Sequence, residues 1–147
     1  MIFKDYKIKV TSRTFSSHNI LKNELLSVFP NSIFNINNLL DSEIEIVNYI
    51  SDADAIILGL EKIDRSVLKK LKNLKIIAKF GVGLDNLDLK TASDMGIQLG
   101  WTEGVNKRSV SEQTLGFMIG LTRNIFFTYF NLKQSNWIKD GGMLLSN

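Results

Sequence analysis

The chain has no cysteine, one proline and one histidine in 147 residues. Without cysteine there is no disulfide framework, no thiolate zinc site and no cysteine nucleophile. A single histidine, His18, excludes any metal site that needs two imidazoles, and we expect no metal. Long apolar runs are missing as well. The longest apolar stretch of helical character, Leu115 to Leu121, is interrupted by Thr122, Arg123 and Asn124, well short of the ~20 residues that a membrane span requires. The first residues, Met1-Ile2-Phe3-Lys4-Asp5-Tyr6-Lys7, lack the apolar core and small-residue cleavage site of a secretory signal, so we expect a cytoplasmic protein.

What is present is the composition of a folded chain. With 44% hydrophobic and 22% charged residues, it is long enough to bury a core of its own. Nine phenylalanines against ten glycines argue against disorder. The net charge of +3 comes from dispersed lysines. The densest cluster, Lys69, Lys70, Lys72 and Lys75, has no aromatic residues interleaved to stack on bases, and we expect no nucleic-acid partner.

Hydrophobic periodicity alternates between strand and helix. Lys7 to Thr11 reads as a strand, Ser12 to Ser17 as a polar turn, and His18 to Phe29 as a helix with Ile20, Leu21, Leu25, Val28 and Phe29 on one face, stopped by Pro30. Ser32 to Ile36 predicts a second strand. Asp41 to Ile50 predicts a helix opened by Ser42 with Glu45 at capping-box spacing. Ala55 to Leu58 and Leu74 to Phe80 have the continuous apolar character of buried parallel strands. Asp64 and Asp88 are placed to cap the helices that follow them, and Ile97 to Leu99 is a fifth short strand. Five strands alternating with helices predict an α/β fold: a doubly wound, parallel, five-stranded sheet of flavodoxin-like order, covered on both faces. The last third departs from this rhythm. Ser109 to about Phe130 predicts one long helix whose centre is apolar nearly all round and must therefore be covered by protein. Gly116 and Gly120 lie on one face of it, where close packing is possible.

Two stretches can carry chemistry. Lys79-Phe80-Gly81-Val82-Gly83-Leu84-Asp85-Asn86 follows the fourth strand, at the carboxyl edge where open sheets bind ligands. Its glycines suit either a tight strand-to-helix turn or a concave row of amides that receives an anion. Asn86 occupies the place where a dinucleotide fingerprint needs its third glycine. The second stretch is the polar loop from Glu103 into the long helix, where Ser109 and Glu112 have the spacing of a capping box and the helix start is suited to a polar ligand.

Together these segments carry a resemblance. Ala53-Asp54-Ala55-Ile56-Ile57-Leu58-Gly59-Leu60-Glu61, Leu74 through Leu89 with its Gly81-Val82-Gly83-Leu84-Asp85-Asn86, Gly104-Val105-Asn106, Ser109-Val110-Ser111-Glu112-Gln113-Thr114-Leu115 and Leu121-Thr122-Arg123-Asn124-Ile125 occur in that order. From Ile8 to Trp137 the sequence resembles the D-isomer-specific 2-hydroxyacid dehydrogenases, nearest the phosphoglycerate dehydrogenase type of serine biosynthesis. The resemblance implies a substrate domain over residues 1–103. Residues 104–147 would be the hinge and the first helix of a truncated Rossmann domain for NAD. It implies that the turn at Gly81, Val82 and Gly83 offers amides to the carboxylate of a 2-hydroxy or 2-keto acid, with Lys79 beside it. Asn106 would line the pocket shared by substrate and nicotinamide, and Lys107 and Val110 would approach the cofactor.

Two departures from that pattern stand out. Some members place an Arg-Ser pair after the third strand, where this chain has Gly59-Leu60-Glu61-Lys62. The family's glycine-rich dinucleotide loop, its acidic ribose partner and its catalytic arginine, glutamate and histidine have no counterparts here. We therefore expect no catalytic residue, no turnover and no NAD bound by this chain alone, and His18 reads as a surface or helix-capping residue. The unpartnered helix leads us to expect a homo-oligomer built on Ser109 to Phe130. The alternative is a non-catalytic flavodoxin-like binding or oligomerisation module. A phosphoacceptor domain is disfavoured because Gly59-Leu60 stand where its aspartate would be.

Overall fold

Five short strands form the sheet: β1 (Ile8–Val10), β2 (Ile33–Phe34), β3 (Ala55–Leu58), β4 (Ile76–Lys79) and β5 (Gln98–Gly100). In the computed structural model, which describes residues 3–37 and 40–145, they pair in the order β2-β1-β3-β4-β5, all parallel. This is the flavodoxin-like order expected. The helices between them are α1 (Arg13–Ser16), α2 (Asn19–Val28), α3 (Glu43–Ile50), α4 (Arg65–Leu68) and α5 (Leu89–Asp94). The chain divides into two units, Met1–Glu103 and Gly104–Asn147, and the sheet lies in the first.

The helix starts follow from local chemistry. Ser42 and Glu45 form the reciprocal capping box, Asp64 accepts from the amides of Ser66 and Val67, and Asp88 accepts from Thr91. Each satisfies amide groups that the first helical turn leaves without partners. His18 caps α2 by accepting the Leu21 amide on Nδ1 at 3.4 Å, which uses the imidazole structurally. The stretch expected to be a polar turn contains α1, a single turn capped by Ser12.

Strand pleating sorts the side chains between two faces. Ile56, Leu58 and Ile77 point into the main core, against Ile46 and Ile50 of α3, Val67 and Leu68 of α4, and Ala92 of α5. The other face carries Ile8, Ala55, Ile57, Ile76 and Ala78, in register across β1, β3 and β4. Right-handed crossovers explain the asymmetry. The step from β1 to β2 runs opposite to the later steps, so α2 alone lies on this second face while α3, α4 and α5 share the first. Helices thus lie on both faces, as expected, with more of them on the first. A groove of about 350 Å³ runs past Leu25, Phe29, Ile57 and Ala78, and Ile76 is 41% exposed.

The buried Lys9 of β1 would be costly unpaired. Its Nζ donates to the Tyr49 carbonyl at 2.7 Å and pairs with Asp52 at 2.5 Å. The Tyr49 hydroxyl donates to the Val10 carbonyl at 3.2 Å, and burial pushes its pKa up to about 12, with the charge of Glu61 adding to the shift.

The second unit corrects three expectations. First, the single helix from Ser109 to Phe130 is two helices, α6 (Lys107–Thr122) and α7 (Ile125–Lys133). The break falls at Asn124, which adopts the left-handed conformation with φ of 52°, one of few residues that do so at modest cost. Second, Ser109 and Glu112 form no capping box: the N-cap is Asn106, the Ser109 hydroxyl donates to the Asn106 carbonyl, and Glu112 pairs with Arg108 one turn back. Third, the apolar centre of α6 is not covered all round. Leu115, Phe117, Met118, Ile119 and Leu121 are all at least 45% exposed. Gly120 is buried, because the Phe126 ring of α7 lies where a Cβ would stand, 2.4 Å away, whereas Gly116 faces open space. The glycine pair thus accommodates a helix of the same unit on one residue instead of presenting a joint face.

Hydrogen bonding from Lys9 holds the Asp52 carboxyl below its ordinary pKa, and the Lys7 amide and Lys75 ammonium do the same for Asp54. A carboxylate with a lowered pKa in the folded state contributes stability above the ordinary aspartate range and loses it as pH falls through that range. The urea midpoint should accordingly fall between about pH 6 and about pH 3. The double variant Asp52→Asn, Asp54→Asn should show a shallower decline over the same interval.

Candidate functional site

The carboxyl ends of β1, β3 and β4 converge on one polar network. Thr11, fully buried after β1, places its hydroxyl 2.5 Å from Glu61 Oε2 and accepts the Gly59 amide at 3.1 Å. The same Gly59 amide lies 3.1 Å from Glu61 Oε2. Lys79, the last residue of β4, donates to the Gly59 carbonyl and, at 2.9 Å, to Asn86 Oδ1. The Asn86 amide nitrogen donates to the carbonyls of Gly59 at 3.1 Å and Glu61 at 2.7 Å. Partial burial pushes the Lys79 pKa down, opposed by the charges of Glu61 and Asp85.

Above this network sits the glycine turn. Gly81 has φ of 143°, a conformation in which side-chain-bearing residues are strained. The Val82 carbonyl accepts the Trp101 indole N–H at 3.1 Å, which ties the turn to the end of β5. The backbone N–H groups of Val82 and Gly83 donate to no acceptor among the described residues. Gly83 is exposed and Val82 half-exposed. Asp85 Oδ1 lies 2.8 Å from the position a Gly83 Cβ would take, on an exposed side chain free to swing away. Two adjacent donors without acceptors at a sheet edge are the kind of group to which a carboxylate or similar anion can bind.

Lys79, Gly81, Val82 and Gly83 are thus brought together in the first unit. Asn106, Lys107 and Val110 belong to the second unit and are exposed. Asn106 stands at the N-terminus of α6 with its side chain making no capping bond, so its amide is uncommitted. The turn before α6 does not fit a dinucleotide. It holds the single Gly104, closed by the Lys107 amide on the Gly104 carbonyl at 3.0 Å. A Cβ there would meet nothing nearer than the Lys107 side chain at 3.5 Å, so no close cradle for a pyrophosphate exists. Among the described residues no group of histidines and acids is arranged to hold a metal ion. Among the described residues no helix is long and apolar enough to cross a membrane.

Sequence reasoning did not find the roles of Thr11, Asn86 and Trp101, and it noted Glu61 only as a departure. Asn86 offered the one usable signal, an amide side chain in a glycine turn.

Residues 8–136 match the family model of the D-isomer specific 2-hydroxyacid dehydrogenase catalytic domain. Hydroxypyruvate reductase of Thermotoga maritima is 34% identical over 96 residues, covering 65% of this chain and 31% of that protein. D-3-phosphoglycerate dehydrogenase of Methanocaldococcus jannaschii is 35% identical over 94 residues, covering 63% of this chain and 18% of that one. The match therefore spans less than a third of the length of either relative. The solved NAD+-bound 3-phosphoglycerate dehydrogenase of Entamoeba histolytica superposes with a TM-score of 0.68 at 26% identity, over 82% of this chain and 40% of that one.

The network makes Asn86 a structural keystone. Asn86→Ala would leave the Glu61 carbonyl without its amide donor and take one partner from Lys79. We expect a loss of about 1–3 kcal/mol, read as a lowered urea midpoint.

Proposed function

This chain belongs to the D-isomer specific 2-hydroxyacid dehydrogenase family, and from that membership we propose that residues 1–103 hold the substrate of such an enzyme. Residues 104–147, with α6 and α7, then form the hinge and the start of the cofactor domain. The observation that carries the reading is the pair of unpaired Val82 and Gly83 amides at the carboxyl edge of β4, above Lys79. They receive the carboxylate of a 2-hydroxy or 2-keto acid. Lys79, already committed to Gly59 and Asn86, sets the turn's position and adds a positive field. In the second unit, Asn106 has an uncommitted amide and is the polar group there open to a ligand.

In the complete enzyme the reaction is hydride transfer between NAD and the 2-hydroxy acid. These 147 residues hold no glycine-rich dinucleotide fingerprint, and their one histidine, His18, is occupied as a helix cap. The chain alone is therefore a binding unit without turnover. We place it in the cytoplasm, in keeping with the absence of any helix able to cross a membrane among the described residues.

A titration of the labelled chain with lactate tests the binding role. The amide resonances of Val82 and Gly83 should shift saturably, and a Gly83→Pro variant, which removes one donor, should bind at least about fivefold more weakly. Unmoved resonances would refute the reading. Incubation with NADH and a panel of 2-keto acids should show no oxidation of NADH.

We also propose that the second unit pairs with a second copy. The exposed apolar side chains of α6 and α7, Phe117, Leu121, Phe127 and Phe130 among them, support this better than the glycine face, since Gly120 already receives Phe126. Light scattering should report a dimer or higher species, and Phe127→Asp with Phe130→Asp should yield a monomer.

A further inference from the structure

The glycine turn is tied down at its ends by side chains of the polar network. Lys79, the last residue of β4, and Asn86 bond to each other, and both bond to the segment after β3. The middle of the turn has a different tether. Among the described residues, residues 81 to 83 make one hydrogen bond, in which the Val82 carbonyl accepts the Trp101 indole N–H at 3.1 Å.

Val82 stands between two glycines, whose backbone rotates with the least restraint of any residue. The peptide unit that joins Val82 to Gly83 can therefore turn over as a plane, with small compensating rotations on either side. The consequence is chemical. The unit is planar and trans, so its carbonyl and its N–H point in opposite directions. With the carbonyl on the indole, the Gly83 N–H is directed away from the ring, where no acceptor of the described chain meets it. Turned over, the same unit would present an oxygen there and repel an anion.

Trp101 selects the first orientation. It follows directly on β5, and β5 pairs with β4 through Gly100 and Ala78, so the ring leaves the sheet beside the strand that carries the turn. The indole nitrogen is a donor only, and it is satisfied by the Val82 oxygen in one orientation of the plane. A carbonyl that accepts a hydrogen bond also polarises its own peptide and strengthens the N–H at the other end. Trp101 is 37% exposed, within reach of water, so the bond has the modest net worth of an ordinary one.

We propose that Trp101 is a positioning residue for carboxylate binding, and that its indole N–H holds the Val82–Gly83 peptide with the Gly83 donor turned toward the anion. It acts through that peptide and not by touching the acid. The proposal rests on the reading that Val82 and Gly83 hold the carboxylate of a 2-hydroxy or 2-keto acid.

The test is a lactate titration of the labelled full chain, followed at the amides of Val82 and Gly83 and at the indole N–H groups of Trp101 and Trp137, which Trp137→Phe tells apart. Lactate should move Gly83 and the Trp101 indole with one midpoint and leave Trp137 in place. Trp101→Phe, which keeps an aromatic ring without the N–H, should bind lactate about three- to tenfold more weakly, with the amide spectrum of the sheet retained. If that variant loses its fold, the indole resonance of the unaltered chain decides. A Trp101 indole that stays in place while Gly83 moves, or a folded Trp101→Phe chain that loses less than about threefold, overturns this proposal alone. A titration that leaves both Val82 and Gly83 unmoved overturns the carboxylate reading and this proposal with it.

Discussion

The candidate site depends on the way Lys79 closes the carboxyl edge of the sheet. A lysine at the end of a central parallel strand has its ammonium partly desolvated, and it is stabilised there by oxygen acceptors that the chain itself provides. The Gly59 carbonyl and Asn86 Oδ1 provide them, and Asn86 returns its amide protons to Gly59 and Glu61. The effect is to tie the end of β3, the end of β4 and the segment entering α5 into one body. The glycine turn between Lys79 and Asn86 is then held at both ends, so the amides of Val82 and Gly83 are presented without having to be ordered when an anion arrives. Preorganisation of this kind lowers the entropic cost of binding.

The same edge carries a charge held in place by the fold. Glu61 is half-buried, and its carboxylate is hydrogen-bonded to the buried Thr11 and Gly59. Its position is set by the strands that bring those residues together and not by solvent.

Elsewhere the molecule carries apolar surface that its own helices do not cover. In the first unit this follows from topology: one crossover runs against three, so one face of the sheet carries a single long helix. In the second unit α6 and α7 touch through Gly120 and Phe126 and leave most of their large side chains exposed. Exposed apolar surface on this scale is the kind that marks interaction sites.

The features that could be read from the sequence are those set by neighbours three or four residues apart. The caps at Ser42, Asp64 and Asp88, the helix-capping role of His18 and the alternation that implied a parallel α/β sheet all depend on local spacing, and the structure has each of them. The glycine turn was also legible, because Gly-Val-Gly after an apolar run has few other uses. The break at Asn124 and the shift of the helix start from Ser109 to Asn106 were not. A left-handed residue is a property of the backbone that side-chain periodicity does not report, and a capping pair competes with a loop whose course is set elsewhere. Nor could the sequence show that positions 11, 59, 61, 79 and 86 share one network. Their meeting depends on the register that pairs Leu58 with Lys79 and Val10 with Ile57, and register is decided by contacts between residues tens of positions apart. The sequence by itself determined the strands, most of the helices of the first unit and the glycine turn after β4, because these rest on local spacing. The tertiary structure alone decided which charge stands beside that turn and which apolar faces remain uncovered.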